Sequence, residues 1–289
     1  MASGFRCVRD PDVRAFAAAA MDWLVRDPVR NTVPAALVDG ALRGGIERAG
    51  TVYLRVVHDG ATAAAAGTAI WTPPRAMFVS VPDPAVARFL GGHVASGALA
   101  GLDAVNGADD ELDAFVDGYG AAEVTGWRSR LHVLDALRPP VGVPGSLVEA
   151  TPADLPVVVA WVRAFSAEAG TDGDEAAAQA GARLAAGGLC WFWRVGGEPV
   201  SFLWRTRPVG GVVRLSAVYT PPAHRGHGYA AACVAGASAR ALDAGAQRCV
   251  LYTDLANPVS NRLYARLGYV PVLDSSVRRL GVPRGYHRG

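Results

Sequence analysis

Between residues 225 and 230 the chain reads Arg225-Gly226-His227-Gly228-Tyr229-Ala230. Glycine has no side chain to hold a ligand off, so Gly226 and Gly228 let bare backbone N–H groups approach one closely. The preceding stretch, Val212 to Tyr219, reads as a strand, and the Ala-rich stretch after Gly228 reads as a helix. A glycine loop between strand and helix sets those N–H groups at a helix N-terminus, where the dipole favours negative charge. Arg225 adds a permanent cation with five donors. Phosphate or pyrophosphate is the natural guest of such a loop. A second cluster follows, Asn257-Pro258-Val259-Ser260-Asn261-Arg262-Leu263-Tyr264-Ala265-Arg266-Leu267-Gly268-Tyr269. Asn257 is a good helix cap with Pro258 in the first helical position. Ser260 and Tyr264 stand four apart and share a helix face. A phenol, with its ordinary pKa near 10, keeps its proton at neutral pH and can give it to a basic leaving group.

Together the two segments resemble the GNAT superfamily of N-acetyltransferases. The first fits its Arg/Gln-x-x-Gly-x-Gly/Ala signature, and the second fits Asn-x-x-Ser-x-x-Leu-Tyr-x-x-Leu-Gly-Tyr at each position. The resemblance implies an acetyl group carried from acetyl-CoA to the amine of a small-molecule acceptor by direct attack, with no metal. It implies that Arg225, Gly226, His227, Gly228, Tyr229 and Ala230 hold the pyrophosphate. It places the pantetheine arm along main-chain groups of Val218, Tyr219 and Thr220, with Asn257 and Ser260 in contact. The N–H of Val218 or Tyr219 would meet the thioester oxygen, and Tyr264 would lie beside the sulfur as proton donor. The family often keeps a Glu on the strand before the loop as general base, or uses a water chain. Val212–Tyr219 has no carboxylate. Asp254, after the next strand, is the catalytic candidate for that role, and Ser216, His224 and Tyr219 could contact a water. A water relay or an already neutral amine is preferred to any of them.

Two rival readings use the same residues. Gly226-His227-Gly228-Tyr229-Ala230-Ala231 also fits the dinucleotide motif G-x-G-x-x-A, but five residues, Pro221 to Arg225, intervene after Thr220, and a dinucleotide loop abuts its strand. A non-catalytic acyl-CoA sensor would equally explain the missing carboxylate. Turnover of acetyl-CoA with an amine separates enzyme from sensor.

Composition narrows the classes. Of 289 residues, 51% are hydrophobic and 19% charged, which suits a globular chain with a real core. All 28 basic residues are Arg. The lack of Lys excludes a P-loop lysine, a Schiff-base lysine and a lysine general base. A net charge of +2 with dispersed Arg argues against a nucleic-acid partner. The cysteines Cys7, Cys190, Cys233 and Cys249 form no CxxC and read as buried, reduced thiols of a cytoplasmic protein. The 6 histidines form no HExxH, so no metal is expected. No signal peptide is visible, and the longest apolar run, around Ala61–Ile70, is too short for a membrane span. Monomer and homodimer both remain open.

The elements that must position the motifs read as an α/β (α+β) chain with mixed, partly antiparallel sheets flanked by helices. Prolines and glycines crowd Arg138-Pro139-Pro140-Val141-Gly142-Val143-Pro144-Gly145-Ser146, which reads as a linker over 139–146. It separates a domain at 1–138 from a catalytic domain at 147–289. In the second, strands are expected at 147–149, 189–195, 199–207, 212–219, 248–253 and 269–273. Helices are expected from Thr151 to 169, at 174–186, from Gly228 to about 244 and at 258–267. The alternating Trp191, Trp193 and Trp204 read as core rather than as an acceptor wall. The first half repeats this order less clearly. Asp10-Pro11 opens a helix, 31–42 is another, and 51–58 pairs with 61–71 across Asp59-Gly60. Strand 78–81, helix 84–97, strand 102–106, helix 109–119 and strand 128–137 follow. In place of the glycine loop it has Ser80-Val81-Pro82-Asp83-Pro84. This suggests tandem GNAT-like domains whose first copy is degenerate and shapes the acceptor cleft.

Overall fold

The computed structural model describes residues 4–45, 49–60, 64–171 and 173–282, with the side chains of 122–126 outside the description. In chain order the elements are β1 (Phe5–Asp10), α1 (Val13–Leu24), α2 (Thr32–Leu42), β2 (Val52–His58), β3 (Ala65–Trp71), β4 (Met77–Ser80), α3 (Pro84–His93), β5 (Ala104–Ala108), α4 (Asp109–Tyr119) and β6 (Ala122–Leu134). They continue with β7 (Ser146–Glu149), α5 (Leu155–Ala169), α6 (Gly173–Ala178), α7 (Ala180–Ala185), β8 (Cys190–Val195), β9 (Glu198–Arg205), β10 (Val212–Tyr219), α8 (Tyr229–Asp243), β11 (Arg248–Asp254), α9 (Pro258–Arg266) and β12 (Tyr269–Leu280). This is a mixed α/β fold.

Two units result. The first comprises Met1–Arg130, Asp254–Ala256 and Leu273–Gly289, and the second Leu131–Thr253 and Asn257–Val272. The division does not follow the proline-rich stretch. The end of β12 goes to the first unit because Ser275–Arg279 pair antiparallel with Ala104–Ala108 of β5. The expected linker lies within the second unit; it is mostly exposed, with its end held against β8. Trp193 Nε1 donates to the Pro144 carbonyl at 2.8 Å. Gly145 has φ +111° and leaves no room for a Cβ, which would meet the Arg194 carbonyl oxygen at 2.4 Å.

In the first unit β1, β2, β3 and β4 pair antiparallel in sequence, and β4 and β5 pair parallel. Its core gathers Leu54, Val79, Leu90, Val105, Leu112 and Phe115. Gly91 of α3 and Gly118 of α4 let the two helices approach backbone to backbone. A Cβ on Gly91 would meet the Phe115 carbonyl oxygen at 2.0 Å. Sequence reading misses β1. Asp10 is no helix cap; it is buried in a salt bridge with Arg55 of β2, Nε to Oδ2 2.7 Å. The cap is Asp12, whose Oδ1 accepts from the N–H groups of Arg14 and Ala15. Residues 61–63 of the expected hairpin lie outside the described residues, but Val52–His58 and Ala65–Trp71 pair as foreseen.

In the second unit β7, β8, β9 and β10 pair antiparallel, and β10 and β11 parallel. Strand alternation sends residues to opposite faces. Val213 and Leu215 join Trp191, Cys233 and Tyr264 on the α8 and α9 side. Phe192, Phe202 and Trp204 pack with Val158 and Val162 of α5 on the other. The expected helix at 174–186 breaks into α6 and α7, and the one after Thr151 opens with a 3₁₀ turn, Pro152–Asp154. The last strand runs on to Leu280 because β5 supplies it with partners. No described helix is long and apolar enough to cross a membrane.

Candidate functional site

The strand before the glycine loop changes partners partway. The parallel ladder from β10 to β11 runs from Val212↔Arg248 to Leu215↔Leu251. Towards β9, Ser216 faces Trp204 and Tyr219 faces Phe202, with a register shift between them. Ala217 sits at the shift with φ +48°, a conformation non-glycine residues seldom adopt. The shift is a β-bulge, which bends a strand and re-aims its groups. From Ser216 onward β10 follows β9 and parts from β11. Val218 then faces the core that holds Tyr264, while Ala217 packs on the opposite core beside Tyr219.

Pro221 and Pro222 lack N–H donors and end the ladder. Gly226 and Gly228 have φ +83° and +80°, the left-handed region that glycine alone enters freely. Around a Cβ on Gly226 nothing would lie within 4 Å; one on Gly228 would meet Val143 Cγ2 at 3.1 Å. Gly228 caps α8 without a side-chain hydrogen bond, so no side chain takes the first-turn N–H groups. His227 and Tyr229 stack with ring centroids 5.3 Å apart, and His227 is exposed. The cradle is open, and its chemistry fits an anion.

Arg225 is already engaged. Its Nε donates to the Thr220 carbonyl at 2.9 Å, and its Nη2 donates to both carboxylate oxygens of Glu168 at 2.6 and 2.8 Å. Its guanidinium also lies 5.9 Å from the Tyr219 ring centre. Glu168 sits near the end of α5, without a local pattern to mark it, and the sequence reading missed it. Thr220 Oγ1 donates to Ser201 Oγ, which donates to the Tyr219 carbonyl, so the turn after β10 is fixed on β9.

The second motif folds as its residue types require. Asn257 Oδ1 accepts from the N–H groups of Val259 and Ser260, both at 3.1 Å, and Pro258 takes the first helical position. Asn261 braces the turn, accepting from Thr253 Oγ1 and donating to the Asn257 carbonyl. Tyr264 is 7% exposed, meets Tyr269 edge-on, and shares a core with Val218. Burial, then nearby Cys233, pushes its phenol pKa up, so the proton is held more firmly than usual. Gly268 has φ +95°, and a Cβ there would lie 1.8 Å from the Ala136 carbonyl oxygen, so the motif admits no other residue at that place. Asp254 falls in the first unit, and its Oδ1 accepts from the Ala256 N–H at 2.8 Å.

Thus Val218, Tyr219, Thr220, the 225–230 loop, Asn257, Ser260 and Tyr264 all belong to the second unit. Trp191, Trp193 and Trp204 belong to its two cores, as their alternation along strands suggests. A shallow cavity of about 380 Å³ in the same unit is lined by Glu149, Trp191, Arg205, Arg240, Asp243 and Ala244, none of which belongs to either motif. Among the described residues no group of three or more His, Cys, Asp or Glu is placed to hold a metal ion.

The model of the Acetyltransferase (GNAT) family matches residues 156–269, a span holding both motifs. This part of the chain is a GNAT acetyltransferase domain. Solved structures extend the likeness over both units. A GCN5-related N-acetyltransferase from Sphaerobacter thermophilus has TM-score 0.63 at 15% identity, over 98% of this chain and 97% of that one. A GNAT-family acetyltransferase from Colwellia psychrerythraea has TM-score 0.62 at 11% identity, over 95% and 99%. A tandem GNAT protein from the clavulanic acid biosynthesis pathway has TM-score 0.61 at 14% identity, over 98% and 100%. At such identities the likeness is one of fold. No curated protein matches this chain in sequence.

Proposed function

We propose that this chain is an N-acyltransferase that moves an acetyl group from acetyl-CoA to the amine of a small-molecule acceptor, and that the second unit does the chemistry. The observation that carries the reading is the parting of β10 from β11 after Leu215, beside a helix N-terminus that no side chain caps. A parted strand pair leaves a wedge into which an extended arm can add like a strand. The uncapped amides behind the glycines suit a pyrophosphate.

Roles follow from these placements. The loop Gly226–Ala230 holds the diphosphate through main-chain N–H groups. Val218, Tyr219 and Thr220 lie along the arm, and Asn257 Nδ2 and Ser260 Oγ approach it from α9. The coenzyme, when bound, supplies the activated acyl group. The N–H of Val218 or Tyr219 stabilises the oxygen on which charge develops, a contribution of about 3 kcal/mol in such sites. Tyr264 keeps a proton at Oη for the departing sulfur. β10 has no carboxylate, and Asp254 is occupied by its own turn. A water relay or a neutral amine therefore takes the base's place.

The test is a thiol-release screen of amines with acetyl-CoA, accompanied by calorimetry of acetyl-CoA. Release dependent on an amine supports transfer. Tight acetyl-CoA binding with no release from any amine makes the protein a sensor, and no binding at all rejects both readings.

A further inference from the structure

Arg214 lies one residue before the end of the β10–β11 ladder, at Arg214↔Val250. Val213 and Leu215 on either side face the α8 core. Arg214 therefore points to the opposite face, with Trp204, Ser216 and Tyr252 on the same side of the sheet. Its main chain is tied down: its N–H donates to Thr206 Oγ1, and its carbonyl accepts from the Thr206 N–H. Its side chain is not. Nε is buried and has no hydrogen-bond partner. Its charged or titratable neighbours are Tyr252 and Arg183, and no carboxylate is among them. Arg183, on α7, lies over the Trp204 ring at 4.9 Å.

Arg214 is only partly buried as a residue, but its Nε has no access to water, and a buried charge normally comes with a carboxylate, because leaving it unpaired is costly. Here burial pulls the pKa of Arg214 down, Tyr252 partly offsets this, and Arg183 lowers it again. Three other arginines of the same unit do have carboxylate partners. Arg225 has Glu168, Arg194 has Asp154 and Arg163 has Asp174. Arg214, which has none, stands where β10 and β11 part.

We propose that Arg214 receives a carboxylate of the acceptor, so that the acceptor is an amino acid-like amine rather than a plain one. A planar guanidinium binds a carboxylate through two parallel N–H···O bonds. Arg183 adds to the positive field. The inference rests on the acyl-transfer reading for the amine, but the anion site itself does not.

The experiment compares matched pairs with the full chain: L-phenylalanine against phenethylamine, and 6-aminohexanoate against pentylamine. 2-Aminoethyl phosphate is added to tell a carboxylate site from a phosphate site. At least one acid should exceed its plain amine in kcat/KM by ~100-fold or more, and Arg214→Gln should collapse that preference to near one. Equal use of acid and amine, better use of the phosphate, or a preference that survives Arg214→Gln overturns the proposal. Calorimetry with 3-phenylpropionate works even if no amine is acylated. Binding lost by tenfold or more in Arg214→Gln supports the anion site, and unchanged or absent binding rejects it. Folding gives an independent check. Arg214→Met removes an uncompensated charge, so its melting temperature should equal or exceed that of the wild type. A lower one would make Arg214 a structural residue.

Discussion

The two units build the same strand–loop–helix corner and treat the helix N-terminus in opposite ways. In the second, α8 starts at Gly228 with no side-chain cap. In the first, α3 starts at Asp83, whose carboxylate accepts from the Ala85 N–H at 2.8 Å. The next helix differs too. Asn257, Ser260 and Tyr264 stand at the cap of α9 and three and seven residues beyond it. Around α4 the same offsets hold Ala108, Glu111 and Phe115. Glu111 is buried, accepts from the Val81 N–H at 2.8 Å just after β4, and pairs with Arg30. The first unit thus carries its own anions where the second presents unfilled donors. A corner of this fold becomes a binding site by leaving donors unmet, and a structural element by answering them from within.

The largest effect should come from giving the second unit the aromatic residue of the first. Tyr264→Phe keeps a buried ring and deletes one hydroxyl. If that hydroxyl protonates the leaving sulfur, turnover falls by roughly 10²- to 10⁴-fold, the usual span for general acid catalysis. Acetyl-CoA affinity stays nearly constant, since the loss falls on the transition state. Steady-state kinetics with calorimetry measures both. Turnover within twofold of wild type would leave Tyr264 a core residue, equivalent to Phe115 after all.

Glu111→Ala tests the other half of the comparison. It strands Arg30, which keeps only its longer contact to Asp110 at 3.3 Å, and leaves the Val81 N–H without its acceptor. A loss of about 3 kcal/mol in stability is expected, read as a lower denaturation midpoint. Calorimetry should still find a single acetyl-CoA site per chain. A second site appearing in this variant would mean that Glu111 alone had closed a competent one.

Much of this contrast is legible in the sequence. Gly226, Gly228, Asn257, Tyr264 and Gly268 announce themselves because each type meets a local demand: positive φ, a cap, or a phenol on a helix face. Most elements from β7 onward follow for the same reason. What escapes is non-local. The bulge at Ala217 arises from a register conflict between β9 and β10, and alanine carries no mark of it. Asp10 looks like a cap until Arg55 is seen beside it. Pro144 and Gly145 look like part of a loose joint until Trp193 and the backbone of β8 are seen against them. Glu168 and Arg214 are decided by what they touch or fail to touch across the sheet.

Gly228→Asp would install in the second unit the carboxylate that caps α3. Asp tolerates left-handed backbone better than most residues, and Val143 Cγ2, 3.1 Å from the new Cβ, is a side-chain end able to shift. The variant should fold. It should bind acetyl-CoA roughly 30-fold more weakly, or about 2 kcal/mol, because an internal anion now occupies the helix terminus. Unchanged affinity in a folded variant would show that the pyrophosphate is not held there.

The smallest effect concerns Arg225, the one cation of the loop. Its partner Glu168 and Arg225 itself are each about half exposed, at 51% and 48%. Water screens such a pair, and exposed pairs contribute only about 0.2–1 kcal/mol. Glu168 thus competes weakly for a guanidinium that a diphosphate could also attract. Glu168→Gln removes the competing charge and keeps the side chain's length. Acetyl-CoA should bind about two- to fivefold more tightly, within the same 1 kcal/mol. The gain should shrink as salt rises, because both contacts are screened. Weaker binding would reverse the assignment: the ion pair would then be what fixes the loop, and Arg225 would serve the phosphate only by holding Thr220 and the backbone after it in place.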